Sequence, residues 1–291
     1  MPLLFVAVLF ILLAAPAAAG KTGELAVFWG RNKDEGTLRE ACDTGIYTTV
    51  IISFFSVFGH GNYWTDLSGH AVAGVGADIK HCQHAKNVTV LLSVGGDGDQ
   101  YSLPTPKTAE DVAGHLWDAY LGGGRKGVFR PFGDAVLDGI DLYIDHGGSA
   151  NYDELAMHLS RHRGGVTVLL TATVRCMDGQ ETSAEAALAT GLVRRLHVRF
   201  YGDRSCSYDS SERRPFYGSW LGWAERYTNA SVYVGLPAAR DAASDGWISP
   251  ASLALDALPL VQGTANYGGV MLWNRHFDRS SHYGLTIKPM V

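Results

Sequence analysis

The sequence lacks most features that mark nucleic-acid-binding, redox or metal-dependent proteins. Its 24 lysines and arginines are outnumbered by 29 aspartates and glutamates, and no basic run stands out, so no nucleic-acid partner is expected. The 4 cysteines include no C-x-x-C pair, which argues against a thiol redox motif or a structural zinc site. No glycine fingerprint follows the first predicted strand, although a dinucleotide-binding fold would need one. We therefore expect neither a cofactor nor a metal.

Long apolar runs are also scarce, and the one that is present lies at the amino terminus. Residues 1–19, MPLLFVAVLFILLAAPAAA, end in small residues, which predicts a secretory signal peptide cut between Ala19 and Gly20 and a mature chain of 20–291. The alternative is a membrane anchor, but a leucine-rich core of about 14 residues is short for a span. We expect a secreted, extracellular monomer that does not bind membranes.

In a secreted protein, the cysteines and the short motifs near them can be interpreted. The cysteines are even in number and widely spaced, so they are expected to form disulfides. The stretch HCQH at 81–84 could suggest a metal, but a disulfide-bonded cysteine flanked by surface histidines is the favoured interpretation. Asn87 in NVT and Asn229 in NAS are glycosylation acceptors if their loops are exposed.

Eight short β-branched runs recur along the chain, with amphipathic helical stretches such as 109–123 and 151–163 between them. Near-continuous apolar strands alternating with helices predict buried parallel strands, and eight such units predict an α/β fold, a single (β/α)8 TIM barrel. An open doubly wound sheet is the alternative. The predicted strands are 24–30, 48–55, 88–96, 136–145, 166–174, 196–201, 231–237 and 268–273.

Acids, aromatics and an amide follow the predicted strands, where the chemistry of a barrel is found. Because side chains alternate along a strand, Asp141, Tyr143 and Asp145 share one face. This collection is typical of a sugar site rather than a metal or anion site. The candidate cleft residues at the ends of other strands are Trp29, Asn32, Asp97, Arg199, Tyr201 and Trp273.

The run DGIDLYID at 138–145 resembles the D-G-x-D-x-D-x-E signature of glycoside hydrolase family 18, which includes the plant class III chitinases. The similarity extends over nearly the whole mature chain, through AVFWGRNKDEGTLREAC (26–42), LLSVGG (91–96), GLPAA (235–239) and YGGVMLW (267–273). The stretches FWGRNK, GADIKHCQ and LTATVRC resemble more closely the plant xylanase inhibitor proteins built on the same scaffold.

The resemblance implies a site that has lost its catalytic activity. Asp141 and Tyr201 fit the pattern of the active enzymes, but Asp145 replaces the catalytic glutamate and Tyr143 replaces the aspartate that orients the substrate's acetamido group. An aspartate carboxyl sits about 1.5 Å short of a glutamate's, and proton transfer needs hydrogen-bond reach. Arg199, on the same inward face as Tyr201, would favour an ionised carboxylate. We expect no hydrolysis, and we expect Asp138 to make structural hydrogen bonds.

Covalent and backbone features are also implied by the resemblance alone. The expected disulfides are Cys42–Cys82 and Cys176–Cys206. Cis peptide bonds without proline are expected at Ser53–Phe54 and Trp273–Asn274.

Three functions remain open on this basis. The first is a secreted plant defence protein that inhibits microbial xylanases by placing basic residues in the enzyme's acidic cleft. The resemblance points to Arg161 and Arg163 in the segment 160–168, and to Arg240 in 238–260. The second is a lectin-like or storage protein that binds chito-oligosaccharide without cutting it, and the third is a weakly active chitinase.

Overall fold

The protein was analysed as a computed structural model, which describes residues 20–161, 167–177 and 184–291. The expected signal peptide at 1–19 and Arg163 lie outside these ranges. All eight predicted strands are found, together with one short strand, β3, that the sequence did not indicate. The strands are Leu25–Trp29 (β1), Thr49–Val57 (β2), Trp64–Thr65 (β3), Thr89–Gly96 (β4), Gly139–Ile144 (β5), Leu169–Arg175 (β6), Arg195–Arg199 (β7), Ser231–Pro237 (β8) and Tyr267–Trp273 (β9).

The eight long strands form a closed parallel barrel. Their order is β1-β9-β8-β7-β6-β5-β4-β2, and β1 also pairs with β2. Ala26 of β1 faces Thr49 of β2 on one side and Met271 of β9 on the other. Because the first and last strands are joined, the (β/α)8 prediction is confirmed and the open doubly wound sheet is wrong.

Helices connect the strands and cover the outside of the barrel. The predicted helices at 109–123 and 151–163 correspond to α3 and α4. The helices are Leu38–Asp43 (α1), Val75–Lys86 (α2), Pro106–Tyr120 (α3), Tyr152–Ser160 (α4), Glu185–Ala189 (α5), Arg214–Arg226 (α6), Pro250–Ser252 (α7), Leu258–Val261 (α8), Arg275–Ser281 (α9) and Tyr283–Ile287 (α10), with a 3₁₀ turn at Lys33–Glu35 and a π turn at Leu253–Ala257. Within the described ranges, no helix has both the length and the apolar character that a membrane span requires.

Alternation along each strand divides the core into two parts. In β1, Leu25, Val27 and Trp29 pack in the layer shared with the helices, whereas Ala26 and Phe28 point into the barrel. The inner cluster consists of Ala26, Phe28, Ile51, Phe54, Leu91, Tyr143, Tyr233 and Met271. This parity decides which side chains reach the barrel mouth, the end at which the strands terminate.

The disulfides and the cis peptide bonds implied by the resemblance are confirmed. Cys42 is bonded to Cys82, which joins α1 to α2, and Cys176 is bonded to Cys206. The peptide bonds Ser53–Phe54 and Trp273–Asn274 are both cis.

Candidate site at the barrel mouth

Asp145 at the mouth is held by two arginines. Arg199 donates from Nη2 to Asp145 Oδ1 at 2.5 Å and from Nη1 to Oδ2 at 3.1 Å, and Arg175 Nη2 donates to Oδ2 at 3.3 Å. The side chains of Asp145 and Arg199 are 8% and 7% exposed. A two-point contact of this kind fixes the carboxylate in one orientation and satisfies both of its oxygens.

The charge state of Asp145 is unfavourable for proton donation. Burial would raise its pKa, but the guanidinium groups of Arg199 and Arg175 outweigh burial and lower the pKa below its ordinary value. A general acid that works near neutral pH needs the opposite shift. The carboxylate is therefore ionised when a glycosidic oxygen would need a proton.

Tyr143 fills the centre of the mouth. Its hydroxyl accepts a hydrogen bond from Arg199 Nη1, and the guanidinium lies 4.2 Å from the centre of its ring. Burial raises the pKa of Tyr143 far above its ordinary value, so the phenol stays neutral and cannot replace a charged aspartate.

An aromatic cluster holds the ring of Tyr143 in place. Its centre lies 5.0 Å from that of Phe54, 5.9 Å from that of Phe28 and 6.1 Å from that of Trp273. Contacts at these distances are typical of favourable aromatic pairs. A sugar ring at this position would have to displace Tyr143 from three such contacts.

Asp141 lies below Tyr143 and is fully buried. Its carboxylate accepts hydrogen bonds from Ser93 Oγ at 2.8 Å, Thr171 Oγ1 at 2.6 Å and Thr173 Oγ1 at 3.0 Å. His197 Nδ1 lies 3.3 Å from Oδ1. The donors come from β4, β6 and β7, so Asp141 ties the centre of the barrel together.

Arg199 ends β7, and Tyr201 follows two residues later. Tyr201 is 8% exposed, and burial raises the pKa of its hydroxyl well above the ordinary value. Among the described residues, neither Tyr201 OH nor Arg199 Nε has a hydrogen-bond partner. The hydroxyl of Tyr201 is therefore buried without a partner, and the role that the resemblance gives to this tyrosine stays a prediction.

Two of the expected cleft residues have structural roles instead, which corrects the sequence prediction. Trp29 is 1% exposed. It packs outside the barrel, where its ring lies 4.4 Å from that of His70 and Nε1 donates to Gly36 O. Asn32 caps the 3₁₀ turn by accepting from Asp34 N at 2.9 Å. The side chain of Trp29 points to the outside of the barrel, as those of Leu25 and Val27 do, so it cannot reach the mouth.

The other predicted positions lie where expected. Trp273 is half-buried at the end of β9, beside Tyr143, and Asp97 is exposed directly after β4. Asp138 accepts hydrogen bonds from Val90 N at 2.7 Å and Gln83 Nε2 at 3.0 Å. It thereby joins α2, β4 and the start of β5 and is structural.

Arg161 and Arg240, two of the three arginines expected on an inhibitory surface, lie outside the mouth cluster. Arg161 follows α4 and is exposed, with Nη1 3.4 Å from His158 Nδ1. Arg240 follows β8 and is exposed, and its guanidinium lies 4.0 Å from the centre of the Trp247 ring. The sequon residues Asn87 and Asn229 are both exposed.

Arg175, His197 and the hydroxyls around Asp141 were missed by the sequence analysis. The alternation of side chains along a strand could have identified them. Thr171, Thr173 and Arg175 lie on the inward face of β6, and His197 and Arg199 lie on the inward face of β7. In 20–161, 167–177 and 184–291, no group of three or more histidine, cysteine, aspartate or glutamate side chains is arranged to hold a metal ion.

Comparisons with known proteins agree with this geometry. The profile of glycosyl hydrolases family 18 matches residues 24–233. Xylanase inhibitor protein 1 of Oryza sativa subsp. japonica is 52% identical over 292 residues, which covers 99% of this chain and 95% of that protein. Xylanase inhibitor protein 1 of Triticum aestivum is 49% identical, with 97% and 93% covered.

A solved structure is similar over the same length. The xylanase and alpha-amylase inhibitor protein from Scadoxus multiflorus is 36% identical, has a TM-score of 0.87, and covers 92% of this chain and 98% of its own. The sequence profile, the cereal relatives and the closed barrel agree, and the chain belongs to glycoside hydrolase family 18.

Proposed function

We propose that this protein is a catalytically inactive member of the family that inhibits microbial endo-xylanases. The observation that carries the proposal is the buried Arg199–Asp145 ion pair beside Tyr143, which removes the proton donor from the mouth. The similarity to the two cereal xylanase inhibitor proteins, over almost their whole length, supports a function on an outer surface.

The ion pair and the packing of Tyr143 disfavour the two alternatives. A weakly active chitinase would need Asp145 protonated, while Arg199 and Arg175 stabilise its ionised form. A chito-oligosaccharide bound at the centre would need the space that Tyr143 occupies between Phe28 and Phe54. Neither requirement is met without breaking a buried contact.

The inhibitory surface in this proposal consists of Arg161 and Arg163, between α4 and β6, and of Arg240, after β8. Glycosidases that use two carboxylates carry negative charge in their clefts, so exposed arginines are complementary to them. Stacking on Trp247 supports the guanidinium of Arg240 in a fixed position, which reduces the entropy lost on docking.

Export from the cell is part of the proposal. Residues 1–19 would be removed as a signal peptide, leaving 20–291 as the active protein. Two disulfides are what an oxidising compartment allows, and exposed Asn87 and Asn229 would accept N-linked glycans there.

The test is a titration of residues 20–291 against two fungal xylanases, one with a barrel fold and one with a jelly-roll fold. Release of reducing sugar from xylan should fall to a plateau as the protein approaches equimolar amounts with at least one enzyme. The same preparation should release no product from chito-oligosaccharides. Full xylanase activity of both enzymes in the presence of excess protein would contradict the proposal.

Substitutions of these arginines test whether they form the inhibitory surface. Arg161→Ala combined with Arg163→Ala, and separately Arg240→Ala, should each weaken inhibition of one enzyme. Arg39→Ala is the matched control, because this arginine is 44% exposed on α1 and lies in neither segment. An equal loss in the control would mean that overall charge, rather than a defined surface, governs binding.

A further inference from the structure

A small cavity opens at the end of the barrel opposite to the mouth. It lies between the carboxyl-terminal ends of α5 and α6, beside the starts of β7 and β8, and has a volume of about 210 Å³. Pockets that enclose drug-sized ligands are usually larger, at roughly 300–1,000 Å³, so this cavity suits a group about as large as a single ring. The residues that line it include Leu188, Ala189, Val193, Leu196, Tyr227 and Asn229.

The walls of this cavity, called here the α5–α6 cavity, combine apolar side chains with little charge. Leu188, Val193 and Leu196 are almost fully buried and form its apolar part. Of the described residues in the lining, Arg226 alone is charged, and its Nη2 lies 3.3 Å from Glu185 Oε1. Because that guanidinium is already paired, the cavity favours a neutral, partly apolar group over an anion.

The turn that carries Asn229 is fixed by hydrogen bonds at the edge of the cavity. Ala230 N donates to Tyr227 O at 3.0 Å, which closes a four-residue β-turn directly after α6. The side-chain amide of Asn266 donates to the carbonyl oxygens of Tyr227 and Ala230, at 3.2 and 3.1 Å. Asn229 is exposed on this turn and also lines the cavity, so a group attached to its amide begins at the cavity wall.

Tyr227 places an aromatic ring two residues before Asn229. Its hydroxyl donates to the carboxylate of Glu185 at 3.0 Å, and its ring stacks on that of Trp223 with 5.6 Å between centres. The side chain is half-buried and lines the cavity, so its position is fixed before any ligand arrives. An ordered ring offers apolar surface at a low entropic cost of binding.

We propose that the first N-acetylglucosamine of an N-linked glycan on Asn229 occupies the α5–α6 cavity. The proposal rests on the export proposed above, since such glycans are added to secreted chains. Nδ2 of Asn229 loses one proton and bonds to C1 of the sugar, while the bond from C1 to the diphosphate of the lipid-linked donor breaks. The apolar C–H face and the acetamido methyl group then contact Leu188, Val193 and Tyr227.

Covalent attachment makes a weak contact sufficient. A tethered group has an effective concentration of about millimolar or more, which a free sugar outside the protein does not reach. The second sequon residue, Asn87, has a different environment. It caps the end of α2 beside Lys86, which is paired with Asp43 at 2.9 Å. A glycan on Asn87 meets charged side chains there, and it serves as the internal control.

The first test measures how fast each glycan is released from the native protein. The full chain is expressed in eukaryotic cells with a mannosidase inhibitor, and protein from the medium is analysed by mass spectrometry for glycans on Asn87 and Asn229. Peptide-N-glycosidase is then added. If the first sugar occupies the cavity at least two-thirds of the time, release from Asn229 should be at least about threefold slower than release from Asn87. Denaturation before digestion should abolish the difference.

Ala189→Phe tests whether the cavity causes the protection. Ala189 is exposed at the end of α5 and lines the cavity, so a phenyl group fills the space at little cost in stability. Release from Asn229 should then rise to the rate measured at Asn87. Ala251→Phe is the matched control, because Ala251 is also exposed on a helix, α7, but does not line the cavity. This variant should keep the slow release.

Thermal unfolding gives a second readout. Ser231→Ala removes the glycosylation signal without changing Asn229, and Ser231 is exposed. Occupancy of the cavity for two-thirds of the time should raise the melting temperature by about 1–3 °C, and Ser231→Ala should lose this increment. Adding Ser231→Ala to Ala189→Phe should have no further effect, because the contact is already absent.

Four results would overturn the proposal. They are an unoccupied Asn229 in the secreted protein, equal release from Asn87 and Asn229, slow release that persists in Ala189→Phe, and a melting temperature that Ser231→Ala leaves unchanged. Persistent slow release would mean that the turn itself limits access. An absence of protein from the medium would contradict the export on which the proposal rests. None of these results bears on inhibition, which the xylanase titration tests separately.

Discussion

Replacing Arg199 by methionine tests the physical claim on which the proposed loss of catalysis depends. The change removes one partner of an ion pair whose side chains are 7% and 8% exposed, and it leaves the hydroxyl of Tyr143 without its donor. Removing one member of a buried pair costs about 3–5 kcal/mol. The melting temperature at pH 7 should therefore fall by roughly 6–20 °C.

The effect should depend on pH in a defined direction. The folded-state pKa of Asp145 is lowered, because Arg199 and Arg175 outweigh the effect of burial. A lowered pKa contributes stability above the unfolded value, near 3.9, and this stability is lost as the pH falls through the folded value. The difference between Arg199→Met and the unsubstituted protein should be constant from about pH 7 to 5 and narrow below about pH 4.

Two further variants complete the assay, which is thermal unfolding followed by circular dichroism. Arg175→Met removes a guanidinium that is 56% exposed, so it should cost less than about 1 kcal/mol. Adding Asp145→Leu to Arg199→Met should recover part of the loss, because no unpaired charge remains. A cost below about 1 kcal/mol for Arg199→Met at pH 7, or a difference that persists in acid, would refute the reasoning.

Two other predictions concern the motif and the disulfides. Tyr143→Asp with Asp145→Glu should not restore hydrolysis of chito-oligosaccharides, but adding Arg199→Asn should raise turnover by about 10²-fold or more over that double variant. Equal turnover in the two variants would show that Arg199 does not limit catalysis. Replacing Cys42 and Cys82 by alanine, which opens a loop with a sequence separation of 40, should cost about 4 kcal/mol in urea unfolding. An unchanged urea midpoint would contradict this.

The barrel could be predicted from the sequence because its strands are rich in apolar, β-branched residues and are buried on both faces. Each is buried between the inner cluster and the helices, so runs of β-branched residues mark them without ambiguity. The short β3 was missed because two residues give no periodicity. Its position is set by Tyr63 and Thr65 packing on α3, which are contacts between distant segments.

The site could be predicted in part. Strand parity placed Tyr143, Asp145 and Arg199 on one inward face, and the structure joins them. Trp29 was wrongly predicted to lie in the cleft. Its position at a strand end was given more weight than the alternation of side chains along β1, which points it outward. Its stacking partner, His70, comes from a loop 41 residues later, and no local pattern predicts that contact.

The contacts of Asp141 explain why this acid of the motif is kept in a barrel that is proposed to lack a proton donor. Its carboxylate satisfies Ser93, Thr171 and Thr173 in a position with no exposure to water. Removing it would leave the buried hydroxyls of Ser93 and Thr171 unpaired, at about 1–3 kcal/mol each. Tyr143 and Asp145, two and four residues nearer to the mouth, share Arg199 as a partner. Stability alone is therefore sufficient to keep Asp141, and the proposed loss of hydrolysis is assigned to Tyr143, Asp145 and Arg199.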